Sequence, residues 1–162
     1  MLGLAGCGWR PLYLPDADKG RVVSDELAAV WVPVMGERTG MLMRQALQRR
    51  LEGSTSGVAK KYELSVALTY SVEPLGIQHD NSTTRYRIAG SAPWSLRQLN
   101  IERTLLTTGL AKNMDGTNIL NQQFFYQDLE FDMVFKRLAE LMADQIVLDV
   151  GFFLKRRALQ QT

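Results

Sequence analysis

With only one cysteine and one histidine, the sequence lacks the side chains on which several classes of protein site depend. The single cysteine, Cys7, cannot form an intrachain disulfide, and no cluster of cysteines and histidines has zinc-site spacing. A serine-hydrolase type of catalytic set would need His79, which lies in a polar stretch with no partner fixed by spacing. No glycine-rich phosphate loop is present, and Asp115 followed by Gly116 is too short a match to a calcium loop. The sequence therefore predicts no catalytic residue and no metal site.

The chain also lacks a strong charge of either sign and a long apolar run. Its 19 lysines and arginines nearly balance its 17 aspartates and glutamates, and a net charge of +2 is too small to indicate nucleic-acid binding. No stretch approaches the roughly 18 apolar residues that cross a bilayer. A length of 162 residues predicts a single domain. We therefore expect any contact with a membrane to be made through a lipid or a partner protein.

The first residues resemble the lipobox of bacterial lipoproteins. Leu4, Ala5 and Gly6 precede Cys7, and such small residues suit the peptidase that exposes an acylated cysteine as the mature N-terminus. A secretory signal needs an apolar run of about 7–15 residues, so we expect residues 1–6 to be the end of a longer signal peptide. Cys7 would carry a diacylglycerol and an N-acyl chain, and we expect no other cofactor. Several acyl chains anchor a protein stably in a membrane, whereas a single chain anchors it only marginally. The alternative is a buried free cysteine in an N-terminal strand.

Beyond the N-terminus, apolar periodicity predicts an α+β domain. Residues 7–26 are interpreted as an extended, lipidated tether, residues 27–157 as the domain and residues 158–162 as a C-terminal tail. Two helices packed on one face of a four-stranded, mostly antiparallel sheet, in the order β-α-β-β-β-α, satisfy the pattern. The predicted elements are an edge strand within 28–35, a helix at 38–53 with Thr39 as N-cap, strands at 60–73, 84–99 and 101–111, and a helix at 128–157. Turns are predicted at 74–83 and 113–118.

The sheet face without helices is the candidate binding surface, because its polar side carries several basic residues. Guanidinium groups suit the capture of phosphate or carboxylate. The open alternative is cross-strand pairing with Glu63, Glu73 and Glu102, which would stabilise the sheet modestly. The basic residues on or near this face are Arg85, Arg87, Arg97, Arg103 and Lys112.

Several short stretches along the chain match one known pattern in their order and spacing. The lipobox is followed by Trp9-Arg10-Pro11-Leu12-Tyr13 and, after a β-rich run, by Glu37-Arg38-Thr39-Gly40 at the start of the first helix. Further along lie Ala92-Pro93-Trp94-Ser95-Leu96 and Gln122-Gln123-Phe124-Phe125-Tyr126, the latter followed by the long helix. Together these stretches resemble the alphaproteobacterial form of the LptE family of lipopolysaccharide-assembly lipoproteins.

This resemblance implies a non-enzymatic protein of the outer membrane, with a two-helix layer on a four-stranded sheet. By the resemblance, the protein would plug the β-barrel of LptD as a heterodimer, assist assembly of that barrel and bind lipopolysaccharide for delivery to the cell surface. It would be anchored through Cys7 on the periplasmic side and extend into the barrel lumen. Arg85, Arg87, Arg103 and Lys112 become candidate contacts for lipid A phosphates or core sugars. The alternative is a periplasm-facing lipoprotein that binds a small lipid or anionic ligand without a barrel partner.

Overall fold

Three helices and five strands make up the described part of the chain, which is residues 19–53, 57–77, 83–118 and 124–160 of a computed structural model. The predicted α+β class, with helices on a mostly antiparallel sheet, is confirmed. In chain order the elements are α1 (Lys19–Ala28), β1 (Val30–Trp31), α2 (Glu37–Glu52), β2 (Tyr62–Val66), β3 (Thr69–Ile77), β4 (Thr83–Gln98), β5 (Leu105–Asn118) and α3 (Phe124–Gln160).

Strand β4 is the centre of the sheet. Strands β2 and β3 pair antiparallel with one of its edges, β5 pairs antiparallel with the other, and the short β1 adds parallel to β2. The predicted strand at 60–73 is divided into β2 and β3 at Ala67 and Leu68. Pro93 of β4 lies at this break, where its carbonyl accepts a hydrogen bond from the Ala67 N–H at 2.9 Å. A proline has no N–H to return, so one predicted strand becomes two and the count rises from four to five.

The core lies between the sheet and the helices. Ile88, Trp94 and Leu96 of β4 are at most 5% exposed, as the period-two alternation of that strand predicts. Opposite them, α3 presents a stripe of apolar side chains at four-residue spacing. This buried stripe is Val134, Leu138, Met142, Ile146 and Val150. Because each fully buried aliphatic side chain contributes about 1.5–3 kcal/mol, α3 is the element that holds the helical layer on the sheet.

Helices α2 and α3 run parallel and are joined by three ion pairs. Most of the side chains in these pairs are partly exposed, so each pair contributes about 0–1 kcal/mol, and their main effect is on the register of the helices. The three pairs are Arg38 with Asp132 at 2.8 Å, Arg49 with Glu140 at 3.5 Å, and Arg50 with Asp144, whose Nη2 and Oδ2 atoms are 3.0 Å apart.

The predicted extended tether is wrong from residue 19 onward, because α1 begins there. Val23 and Leu27 lie one helical turn apart and are both buried in the core. Glu26 accepts hydrogen bonds from Lys61 Nζ at 2.7 Å and Tyr62 Oη at 2.6 Å. Burial alone would raise the pKa of Glu26, but these bonds outweigh it and the pKa is lowered. Burial and the bond to Glu26 raise the pKa of Tyr62 to about 12, so Tyr62 remains a donor that ties α1 to β2.

Other predicted element ends also differ from the structure. Strand β5 continues to Asn118, through the predicted turn at 113–118, and β3 extends to Ile77, into the predicted turn at 74–83. Helix α2 has Gly36 at its N-cap, without a side-chain capping bond, so the predicted Thr39 cap is wrong. Helix α3 begins at Phe124 and runs to Gln160, into the predicted tail.

Candidate functional site

The side chains of β3, β4 and β5 that point away from the helices form one surface, which we call the outer face. Alternation along β4 sends even-numbered residues into the core and odd-numbered residues to the outer face. The strand register carries this alternation across the sheet, since Ser91 pairs with Thr69 on one side and with Lys112 on the other. No described helix packs on this face. The outer face consists of Thr69, Ser71, Glu73, Arg85, Arg87, Ala89, Ser91, Leu110, Lys112 and Met114.

A shallow groove of about 540 Å³ occupies the middle of the outer face. Its floor is made of short side chains on neighbouring strands, and the longer Lys112 and Met114 stand on its β5 side. This volume falls within the range of about 300–1,000 Å³ that is usual for small-molecule sites. The groove can therefore take a narrow apolar group beside one cation. The short side chains are Thr69, Ser71, Ala89 and Ser91.

Below the groove, the sheet is fixed to α3 by a neutral phenol. The Tyr70 hydroxyl donates to the Phe135 carbonyl oxygen at 3.4 Å, and the two rings lie 4.8 Å apart between centroids. Burial raises the pKa of Tyr70 to about 12. Because this phenol stays protonated, it adds no negative charge under the groove.

Lys112 is the cation best placed to meet a ligand in the groove. It forms no ion pair with any residue in the described ranges. Leu110 and Met114, two positions away on either side, point to the same face and are 45% and 67% exposed. A cation between two exposed apolar side chains matches an amphiphile that joins an anionic head to hydrocarbon.

The two arginines at the start of β4 differ in their availability. The Arg87 guanidinium lies 2.5 Å from a Glu73 carboxylate oxygen on the neighbouring strand. The cross-strand alternative is therefore confirmed for Arg87. Arg85 is exposed and forms no ion pair with the residues that the structure describes. It lies six positions before Ser91, the partner of Lys112, or about 20 Å along the strand.

Arg103 lies at the opposite end of β4, in the turn that leads to β5. Its backbone has a φ of 46°, and its guanidinium is 3.7 Å from Glu63, which is only 8% exposed. This arginine is thus occupied in neutralising a buried carboxylate, as the cross-strand alternative proposed. The predicted basic residues are spread along the whole length of the sheet, and Lys112 alone among Arg85, Arg87, Arg103 and Lys112 lines the groove.

The groove and Met114 were not predicted from the sequence. The signal that could have revealed them is the alternation of Leu110, Lys112 and Met114. The predicted turn at 113–118 cuts this alternation short, whereas β5 continues to Asn118.

Two predicted features lie outside the described residues, namely the acylated Cys7 and the loop residue His79. Within the described ranges, no group of three or more histidine, cysteine, aspartate or glutamate side chains is arranged to hold a metal ion. None of the helices in those ranges is both long and apolar enough to cross a bilayer.

Comparison with protein families gives one match, which covers most of the folded part. The family is LptE, described as lipopolysaccharide-assembly, and it matches residues 27–150. The chain belongs to the LptE family. This confirms the resemblance indicated by the short sequence stretches, and the matched residues include all of the outer face.

Solved structures of bacterial lipoproteins share the fold of this LptE-family chain. A lipoprotein of Caulobacter crescentus has a TM-score of 0.62 and 20% sequence identity, and the match covers 82% of this chain and 95% of the Caulobacter chain. The rare lipoprotein B of Shewanella oneidensis has a TM-score of 0.56 and 10% sequence identity, and the match covers 75% of this chain and 91% of the Shewanella chain. Lipoprotein B of Nitrosomonas europaea has a TM-score of 0.51 and 15% sequence identity, and the match covers 76% of this chain and 81% of the Nitrosomonas chain. No curated protein sequence matches the chain.

Proposed function

We propose that this LptE-family chain serves lipopolysaccharide assembly as a binding protein that catalyses no reaction, and that it holds lipopolysaccharide at the groove of the outer face. Acyl chains on Cys7 anchor it to the outer membrane. The observation that carries the proposal is Lys112, a cation without an ion-pair partner in the described ranges, standing between Leu110 and Met114 at the edge of the groove.

Each part of this arrangement has a counterpart in lipopolysaccharide. The Lys112 ammonium binds a lipid A phosphate. Part of an acyl chain then lies against Leu110 and Met114, over the short side chains of the groove. Arg85, about 20 Å away along β4, is placed for a second anionic group of so large a ligand. Arg87 and Arg103 support the sheet through their ion pairs with Glu73 and Glu63.

Replacing Lys112 with glutamate is expected to weaken lipopolysaccharide binding at least tenfold. A charge-assisted hydrogen bond contributes about 1.5–3 kcal/mol, which corresponds to a factor of about 10–100 in affinity. Binding of purified lipopolysaccharide by isothermal titration at two salt concentrations measures this, and the affinity of the unaltered protein is expected to fall as salt rises.

The matched control is Lys136→Glu, which makes the same charge change at an exposed position of α3, on the helical side. Its affinity is expected to stay within twofold of the unaltered protein. Equal losses in both variants would show a response to net charge alone, and an unchanged Lys112→Glu variant would remove the groove from the proposal. Vesicles of phosphatidylglycerol serve as the comparison ligand. Equal affinity for them would favour the alternative of a lipoprotein that binds a simple anionic lipid.

We propose further that the LptE-family chain forms a heterodimer with the β-barrel of LptD, plugs its lumen and assists its assembly. Family membership supports this partner. Affinity purification of the full chain from detergent-solubilised outer membranes is expected to recover a large β-barrel protein in about equal amount. Recovery of the chain without a barrel, while lipopolysaccharide binding persists, would remove this partner and favour the small-ligand alternative.

A further inference from the structure

Three elements meet at one end of the molecule, which we call the basal end. The charge of Arg157, in the last turns of α3, acts on both Glu26 of α1 and Tyr62 of β2. Tyr62 is in turn the register partner of Gln98, where β4 ends and the turn toward β5 begins. The end of α3 and this turn therefore lie at the same end of the sheet, beside α1. The basal end comprises residues 99–104 and 152–160.

Both parts of the basal end expose large hydrophobic side chains. In the turn, Leu99 is 45% exposed and Ile101 is fully exposed. On α3, Phe152 and Leu159 are 56% and 61% exposed. A single exposed apolar side chain is ordinary, but several at one end of a molecule indicate a surface that meets a partner or a membrane.

Basic side chains lie among these apolar groups. At 100° per residue, Lys155 and Arg156 lie within about 60° of both exposed apolar side chains in this part of α3. Both basic residues are exposed, and neither forms an ion pair with any residue in the described ranges. Glu102 is the only acidic residue in the sequence of the two ranges, whereas Arg103 and the run from Lys155 to Arg157 are basic. The basal end is therefore positively charged.

Arg156 and Arg157 also line a shallow pocket at the end of α3. Phe153 and Gln160 complete its walls, and its volume is about 460 Å³. Guanidinium groups donate charge-assisted hydrogen bonds to phosphate, which are roughly twice as strong as bonds between neutral groups. The partial negative charge at the end of a helix, about half a unit, is smaller than the charge of these two arginines. The pocket thus suits a phosphate that has hydrocarbon close to it.

The position of the N-terminal chain indicates which phosphate this is. Helix α1 joins the basal end, and the connection from Lys19 back to Cys7 spans at most about 40 Å. The acyl chains proposed for Cys7 therefore hold the basal end near a bilayer, whose surface presents phosphates above hydrocarbon. In the proposed complex with a barrel, the basal end is the periplasmic end of a single copy, and the opposite end of the sheet enters the lumen.

We propose that the basal end lies on the membrane surface, with Arg156 and Arg157 at the phosphates of anionic phospholipids and with Ile101 and Leu159 inserted beside them. This contact orients the domain on the bilayer once the acyl chains have attached it. The choice of a membrane as the occupant rests on the proposed acylation of Cys7, whereas the contact itself is tested on a chain that cannot be acylated.

Co-sedimentation with vesicles tests the contact. The protein is the full chain with Cys7→Ser, and the vesicles are phosphatidylcholine with or without about 30 mol% phosphatidylglycerol. Binding is expected to be at least tenfold stronger to the anionic vesicles and to weaken as salt rises. Arg156→Glu is expected to weaken it at least tenfold, because each basic residue near an anionic surface contributes a factor of about five. Lys136→Glu makes the same charge change about 30 Å away along α3 and is expected to stay within twofold.

Three outcomes of this experiment would overturn the proposal. They are equal binding to both kinds of vesicle, equal losses in Arg156→Glu and Lys136→Glu, and no binding at all. Lys112→Glu is expected to bind the vesicles as the Cys7→Ser chain does, and a loss in this variant alone would place the phospholipid in the groove instead. Because Lys112 and Arg156 are varied separately, a failure of the lipopolysaccharide titrations leaves the vesicle result unaffected.

Fluorescent labelling tests which part of the molecule enters the headgroup layer. Ile101→Cys and Met133→Cys, each in the Cys7→Ser background, are labelled with an environment-sensitive dye. Met133 is 50% exposed and lies toward the start of α3, away from the basal end. On addition of anionic vesicles, the dye at position 101 is expected to gain about twofold or more in emission because it leaves water. The dye at position 133 is expected to stay nearly constant, and equal responses at both positions would overturn the proposed orientation.

Discussion

Replacing Gly109 with alanine is expected to lower the free energy of unfolding by about 2–3 kcal/mol, near the upper end for overpacking in a core. Gly109 of β5 is the register partner of Trp94 of β4, whose indole is 5% exposed. A Cβ atom at position 109 would lie 2.5 Å from Cε2 and 2.8 Å from Nε1 of that indole. The ring is rigid and enclosed by the core, so the added methyl group must displace a strand.

The measurement is urea unfolding followed by circular dichroism, with Gly116→Ala as the matched control. Gly116 lies on the same strand but is exposed. The atom nearest to a Cβ added there is the Tyr86 carbonyl oxygen, at 3.3 Å, so the methyl group meets no buried ring. Its expected cost is below about 1 kcal/mol. In a Trp94→Leu background, the cost of Gly109→Ala is expected to fall by at least about 1 kcal/mol, because neighbouring residues couple. An equal cost in both backgrounds would show that the indole is not the obstacle.

Truncating Leu138 to alanine is expected to cost about 2–4 kcal/mol. Leu138 is fully buried in the stripe of α3 that packs on the sheet, and a buried leucine truncation loses both the transfer free energy and the contacts around the resulting cavity. The control is Leu141→Ala, one helical turn away and 43% exposed, with an expected change below about 0.5 kcal/mol. Both are compared by urea unfolding followed by circular dichroism. Similar losses for the two leucines would contradict the assignment of the buried side of α3.

The central strand and the last helix could be predicted because their patterns are regular. Ile88, Trp94 and Leu96 alternate with mostly small or polar residues. The four-residue spacing of the buried stripe of α3 shows which side of that helix faces the core. Strand β1 was also placed correctly at an edge. These elements are fixed mainly by burial of one face, which is the property that a sequence pattern reports directly.

Helix α1 and the end of β5 could not be predicted because tertiary contacts decide them. The start of α1 is rich in charge, and only Val23 and Leu27 carry its apolar spacing. In β5, Asp115 and Thr117 are typical of turns, but Arg137 bonds to Asp115 and Glu130 accepts from Thr117 Oγ1. Such partners from α3 are invisible in a local pattern.

The candidate site was predicted in kind but not in detail. Lys112 was correctly placed on the helix-free face, whereas the pairing of Arg87 and Arg103 depends on strand register and on a turn with positive φ. The groove depends on short side chains that meet only when three strands are aligned. Register is therefore the information that the sequence did not supply.

The central place of β4 also has a consequence for the order in which the chain folds. Strand β4 reaches β5 through a connection of only residues 99–104, whereas β1 must find β2 across the long separation between Trp31 and Tyr62. Closing a short loop costs less entropy, and contacts near in sequence form faster. The two hairpins that share β4, with β3 across residues 78–82 and with β5 across residues 99–104, are thus expected to form before β1 pairs with β2.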